Sequence, residues 1–157
     1  MSYEPRIDYL AAHPEALPIL VRLFRSEWPD YYGVGGPGDA QQDLLSYSNR
    51  DELPIGLVAF VGADPCGVAA LKAESIATHR HLAPWIGAGM VAPSFRRHGI
   101  GARLASALED VARNLGFEAI YSGTSTANSL LIREGWQFKE LVQYEGEAVS
   151  IYEKLLR

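Results

Sequence analysis

The stretch Met90-Val91-Ala92-Pro93-Ser94-Phe95-Arg96-Arg97-His98-Gly99-Ile100-Gly101-Ala102-Arg103-Leu104 decides the reading of this chain. Before it, Trp85 to Val91 is apolar and glycine-bearing and reads as a strand that Pro93 ends. After it, Ile100, Leu104, Leu108, Val111 and Leu115 recur at helical spacing, which predicts a helix over 100–115 with Gly116 as its C′ residue. The first turn of a helix carries free N–H groups and the positive end of the dipole. Ser, Thr, Asp or Asn usually fills that end, yet Gly99-Ile100-Gly101 offers no side-chain cap, and Arg96, Arg97, His98 and Arg103 surround it. A bound phosphate or pyrophosphate would satisfy those donors, and two glycines let an anion approach the backbone closely.

A lone G-x-G is most often a plain loop-to-helix junction facing water. The preceding apolar strand, the clustered arginines and the missing cap turn the reading toward an anion site. Other phosphate motifs fit worse: no Gly-Lys-Ser/Thr run exists for a P-loop, and G-x-G-x-x-G with a second parallel unit is absent.

Working outward, Phe117 to Tyr121 reads as a strand and Asn128 to Glu134 as a short helix ended by Gly135. Trp136 to Val142 and Ala148 to Lys154 read as a final hairpin around Glu145-Gly146. On the other side, Ile7 to Leu10 is a short strand. Glu15 to Trp28 is a helix with Leu17, Leu20, Val21 and Phe24 on one face, stopped by Pro29. Asp39 to Tyr47 is a second helix with Asp39 as N-cap and Leu44 and Leu45 buried. Gly56 to Val61 and Gly67 to Glu74 form a hairpin whose turn is Gly62 to Cys66. The glycine-rich run Gly33 to Asp39 is a loop inside the domain, not a boundary.

At 157 residues the chain suits one domain, expected over 1–157. With 48 % apolar residues it can bury enough surface to offset chain entropy, so a folded state is expected. A net charge of -5 argues against broad nucleic-acid binding, which needs a basic face. Cys66 is the one cysteine, so neither an intramolecular disulfide nor a cysteine-based zinc cluster can form. Met1 to Leu10 lacks the apolar core of a signal peptide, and no apolar run approaches the roughly 20 residues of a membrane span. These features lead to the expectation of a cytoplasmic protein that binds neither nucleic acid nor membrane.

The pattern Val91-x-Pro93-x-x-Arg96-x-x-Gly99-x-Gly101 resembles the acetyl-CoA motif of the GNAT N-acetyltransferases, in which Arg or Gln opens R-x-x-G-x-G/A. The wider layout is similar to that superfamily over nearly the whole chain and most firmly over Pro84 to Trp136. Tyr9 to Asp43, with His13-Pro14-Glu15, Trp28 and Tyr31-Tyr32-Gly33, also resembles a bacterial subgroup with no acceptor assigned. The resemblance implies an α+β GNAT fold: a mixed, mostly antiparallel central sheet flanked by helices. The strands at 85–91 and 117–121 would run parallel, joined by a right-handed crossover through the 100–115 helix, and would splay to admit the cofactor. It implies acetyl-CoA as cosubstrate, no metal, and a small-molecule or peptide amine as acceptor; domains of this kind often form homodimers. Backbone groups of Met90 and Val91 would pair with the pantetheine arm. Backbone N–H groups of Arg97, His98, Gly99, Ile100, Gly101 and Ala102 would hold the pyrophosphate, with Arg96 and Arg103 reaching outer phosphates.

In the implied reaction an amine attacks the thioester directly. The amine must be neutral, so a general base is needed; Glu74 at the end of the hairpin strand and His79 and His81 in the next loop are candidates. Many GNAT enzymes place a tyrosine acid four residues before the Gly of a Gly-aromatic pair. Here that pair is Gly135-Trp136 and the position is Leu131, which cannot donate a proton. The thiolate can leave unassisted, since thiols ionise near pH of about 8.5. Another hydroxyl can also substitute; Tyr144, Tyr121, Ser125 and Thr126 are nearest, and Tyr144 is carried forward with Glu74 as the catalytic pair. The missing tyrosine also admits an alternative, a non-catalytic domain that senses acyl-CoA. Trp28, Tyr31 and Tyr32 are candidate acceptor contacts, with core closure as the equal alternative. Cys66 reads as structural, and His79-Arg80-His81 lacks the further ligands a metal site needs.

Overall fold

A computed structural model describes residues 4–156; the ends of the expected 1–157 domain, residues 1–3 and 157, lie outside the described residues. The strands are β1 (Arg6–Tyr9), β2 (Ile55–Val61), β3 (Asp64–Lys72), β4 (Trp85–Val91), β5 (Ala119–Thr124), β6 (Gln137–Tyr144) and β7 (Glu147–Leu155). The helices are α1 (Leu17–Glu27), α2 (Pro29–Tyr32), α3 (Ala40–Ser46), α4 (Ile100–Asn114) and α5 (Asn128–Arg133). Among the described residues the strands form one sheet in the order β1-β2-β3-β4-β5-β7-β6. Only β4 and β5 pair in parallel; every other neighbouring pair is antiparallel. This is the α+β fold that the sequence implied.

The apolar runs of β2 and β3 are continuous because both faces of these strands are covered. On one face Ile55, Leu57 and Leu71 pack against the α4 stripe Ile100, Leu104 and Leu108. On the other, Val58, Phe60 and Val68 meet Leu20 and Phe24 of α1 and Leu44 of α3. A third cluster, Ile76, Trp85, Tyr121 and Ile151, lies under the segment between β3 and β4. The Trp85 ring is fully enclosed and its indole N–H donates to the Leu82 carbonyl at 2.7 Å.

Three local readings shift. The β2–β3 turn shortens to Gly62-Ala63, because Val61 already pairs with Asp64 and a bulge between Ala59 and Phe60 takes up the register. Cys66 therefore sits inside β3, fully buried, with its thiol donating to the Ala59 carbonyl. Helix α1 begins at Leu17, since Pro14–Ala16 winds as a separate 3-10 turn. Pro29 stops α1 but also opens α2, where its missing N–H costs nothing. Asp39 caps α3 as expected, accepting from the Gln42 N–H at 3.1 Å, but of the two leucines expected inside only Leu44 is buried and Leu45 is exposed.

Candidate active site

The site begins with a defect in β4. Gly87 stands opposite Ala70 and Met90 opposite Val68, so Ala88 and Gly89 together face the single residue Ala69. This bulge holds Ala88 at φ 53, a left-handed conformation unusual for a residue with a side chain. A bulged strand bends. Pairing between β4 and β5 stops after Trp85–Tyr121 and Ile86–Ser122, whereas β5 continues beside β7 as far as Thr124 opposite Ser150. The edge of β4 that faces β5 is thus open from Gly87 onward.

A cleft of about 350 Å³ occupies this region. Gly89, Met90 and Val91 of β4 form one wall, Gly101, Leu104 and Ala105 of α4 another, and Glu27 of α1 reaches it from the opposite face of the sheet. Gly101 and Ala105 also line a smaller groove, about 110 Å³, between α4 and α5, where Leu131 and Trp136 form the far side. Gly101 and Ala105 thus border both the cleft and this groove. A Cβ added at Gly89 would meet nothing within 4 Å, so the protein's own packing does not require glycine there.

At the mouth, the turn before α4 has Arg97 at φ 68 and Gly99 at φ 76. No side chain caps α4, and the first backbone bond into it runs from the Arg103 N–H to the Gly99 carbonyl at 3.1 Å. The N–H groups of Ile100, Gly101 and Ala102 precede that bond and belong to the helix end where anions bind. Arg96 turns back from the mouth: its Nε donates to the Val91 carbonyl at 2.9 Å and its guanidinium pairs with Glu27. Arg103 points toward Glu4, 3.7 Å away, on the β1 side of α4. Neither arginine is held over the turn in this structure, because each has found a carboxylate from a distant part of the chain.

The other candidates occupy the opposite face or its margin. Trp28 packs edge-on against Phe24 at 5.1 Å, and the Tyr32 hydroxyl donates to Asp43 at 2.7 Å. Burial and this carboxylate push the Tyr32 phenol up. Tyr31 is half exposed, and the glycine loop folds over it: a Cβ at Gly38 would lie 2.4 Å from its ring, so only glycine fits. Glu74 follows the end of β3, exposed, with Arg80 at 3.7 Å. His79 is tied to Glu140 at 2.7 Å. Tyr144 ends β6, half-buried beside Tyr121, whose own hydroxyl donates to Glu153 at 2.9 Å and whose pKa is pushed up to about 12 by burial and that partner. Leu131 packs against the α4 core with no hydroxyl to offer. Burial, then Asp64, raise the Cys66 thiol, which leaves it a poor nucleophile. Among the described residues no group of three or more His, Cys, Asp or Glu gathers as a metal site would, and no helix is long and apolar enough to cross a membrane.

Sequence reading missed Glu27 and Ala105. Glu27 carried no signal, since its partner Arg96 lies 69 residues away. Ala105, four residues after Gly101, could have been found from the small side chains beside the apolar stripe of α4.

Three solved structures with similar folds span this chain. A coenzyme A complex of an aminoglycoside 6'-N-acetyltransferase is 16% identical, with 97% of each chain covered and a TM-score of 0.79. The aminoglycoside 6'-N-acetyltransferase from Enterococcus faecium gives the same identity, coverage and score: 16%, 97% of each chain and 0.79. N-acetylglutamate synthase from Neisseria gonorrhoeae, complexed with coenzyme A and N-acetyl-glutamate, is 15% identical and covers 100% of this chain but 36% of its own, with a TM-score of 0.68. At such identities the likeness speaks for the fold alone, and no curated protein matches the sequence. The profile of the acetyltransferase (GNAT) family matches residues 19–133, from within α1 to the end of α5, and so takes in the bulged strand, the uncapped helix and the cleft between them. The chain belongs to the acetyltransferase (GNAT) family and is an acetyl-CoA-dependent N-acetyltransferase.

Proposed function

We propose that this protein acetylates a primary amine, carried by a small molecule or peptide, through direct attack on acetyl-CoA bound in the β4–α4 cleft. The observation that carries this reading is the open edge of β4 after Gly87, which leads from the uncapped end of α4 through the sheet to Glu27 on the other face. Acetyl-CoA supplies the activated thioester. The protein supplies the rest. The N–H groups from Arg97 to Ala102 hold the pyrophosphate, at a turn where Arg97 and Gly99 both take positive φ. The backbone of Met90 and Val91, where β4 has no β5 partner, aligns the pantetheine arm, with the Val91 carbonyl already accepting from Arg96 Nε. Gly101, Ala102 and Ala105 leave room for it along α4.

The acceptor enters from the face of α1 to α3, with Trp28, Tyr31 and Tyr32 on its wall. Among the described residues Glu27 is the one carboxylate lining the cleft, and it attracts the incoming ammonium. Glu74 remains the candidate base for the amine that attacks, and Tyr144 the candidate proton donor in place of the missing hydroxyl at Leu131. The solved relatives are named for both an aminoglycoside and a glutamate product, so fold alone leaves the charge of the acceptor open. We read the protein as acting in the cytoplasm as one domain over residues 1–157.

Thermal denaturation with acetyl-CoA, CoA and ATP titrated separately tests the cofactor site. At a hundred times its Kd a ligand adds about 2.7 kcal/mol of stability. Stabilisation by both CoA species but not ATP is expected; equal stabilisation by ATP would reduce the site to a general phosphate cradle.

A further inference from the structure

One cation on the α1–α3 face has no part in the site so far. Lys72 ends β3 with Trp85 as its partner across the ladder. Its side chain runs diagonally over β4: a Cβ built at Gly87 would stand 3.2 Å from Lys72 Cδ and 3.6 Å from Nζ. Gly87 is the last residue of β4 before the bulge, at the point where β5 parts from it. The missing side chain there gives the lysine its path from β3 toward the gap.

The ammonium stands 5.4 Å from the centre of the Tyr47 ring, which is itself buried. Among the described residues no carboxylate lies within ion-pair distance of it. Asp43, the acid that favours its charge, already accepts the Tyr32 hydroxyl. Burial pulls the lysine's pKa down. A half-buried ammonium without a carboxylate is poorly compensated, and a ring face offsets only part of the loss. Farther along the same strand, Glu27 meets the cleft beside Gly89 and Met90. Lys72 over Gly87 and Glu27 beside Gly89 and Met90 thus meet β4 on either side of Ala88, an order of charges that a small zwitterion would match.

We propose that Lys72 receives the carboxylate of the acceptor, so that the amine acetylated here belongs to an amino acid or a similar amino-carboxylate. This rests on the amine-transfer reading above. A polycationic acceptor would bring like charge against Lys72, whereas a carboxylate gives it the partner that the fold withholds.

CoA release at saturating acetyl-CoA, measured with a panel of L-amino acids and the carboxamide of each, tests the assignment. The carboxamide keeps the amine and side chain and removes the negative charge. For the best-used pair, kcat/KM for the acid should exceed that for the amide by about tenfold or more, as a charge-assisted hydrogen bond allows. Lys72→Met should bring that ratio to about one, and Lys72→Arg should keep most of it. Calorimetry on the CoA-loaded protein should show the acid binding more weakly to Lys72→Met by a similar factor. A packing role alone would lower both arms together, so an unmoved ratio in Lys72→Met overturns the proposal. CoA release from amides in preference to acids overturns it while leaving amine transfer intact. No release from any amine, with acetyl-CoA still stabilising the fold, overturns both readings.

Discussion

The two sides of the β4–β5 gap are built from different materials. On the α4 side, the turn from Arg97 to Gly101, the β4 edge and the small residues of α4 present backbone groups and open space. On the α1–α3 side, long polar side chains meet across distant segments: Tyr32 with Asp43, Glu27 with Arg96, Lys72 over Tyr47. On the proposed reading, backbone donors serve one invariant ligand feature, a pyrophosphate, and need little from side chains. Side-chain groupings can change with the acceptor while the sheet beneath them stays the same. If the proposed assignment of the two sides holds, cofactor recognition and acceptor recognition can be broken separately.

Gly99→Asp should break the first side most severely. It forces a side chain at φ 76 and puts a negative charge at the helix end, and acetyl-CoA affinity should fall by about 100-fold or more by calorimetry. Unchanged affinity would remove the turn from the site. Glu27→Gln crosses between the two sides. If it attracts the amine, kcat/KM for the acceptor should drop by about tenfold while stability moves by less than about 1 kcal/mol, as for other partly exposed ion pairs. If acetyl-CoA affinity falls instead, Glu27 only braces the phosphate turn through Arg96, and the division between the sides is less sharp.

Tyr32→Phe addresses the acceptor side alone. Loss of its bond to Asp43 should cost about 1 kcal/mol in denaturant unfolding and raise the acceptor KM a few-fold, with the acetyl-CoA Kd unmoved. A weakened Kd would mean that the aromatic wall supports the cofactor as well. The smallest effect is expected at His13, whose ring lies 4.8 Å from Phe60 and bonds Glu15 and Asp8. Those two carboxylates, Glu15 first, raise its pKa above the ordinary imidazole value, while His13 lowers that of Asp8. The raised imidazole adds stability that is complete below its unfolded value near 6.5 and fades as pH climbs through the folded one. The lowered carboxylate adds stability above its unfolded value near 3.8 and loses it as pH falls through the folded one. The melting-temperature gap between the protein and His13→Gln should therefore be wider at about pH 6 than at about pH 8.5. A gap independent of pH would show that His13 contributes packing against Phe60 rather than charge.

Much of this architecture was readable in order along the chain. The α4 stripe, the β2–β3 hairpin and the Asp39 cap are local patterns, and local patterns survive folding when nothing distant opposes them. The expected turn at Gly62 to Cys66 failed because Asp64 and Pro65 pair with the neighbouring strand and Cys66 is taken up as the extra residue of a bulge. Between the end of α1 and the glycine-rich loop the chain makes a helical turn, because Pro29 both ends one helix and suits the first position of the next.

The uncapped helix start could be read from sequence alone, because its donors belong to consecutive residues and the lack of a cap is visible in Gly99-Ile100-Gly101. What surrounds that helix start was settled by folding. It opened β4 from β5 through a bulge set by pairing with β3, turned Arg96 and Arg103 to carboxylates far away in the chain, and laid Lys72 across Gly87. Those contacts join residues whose separation in sequence carries no trace of their separation in space.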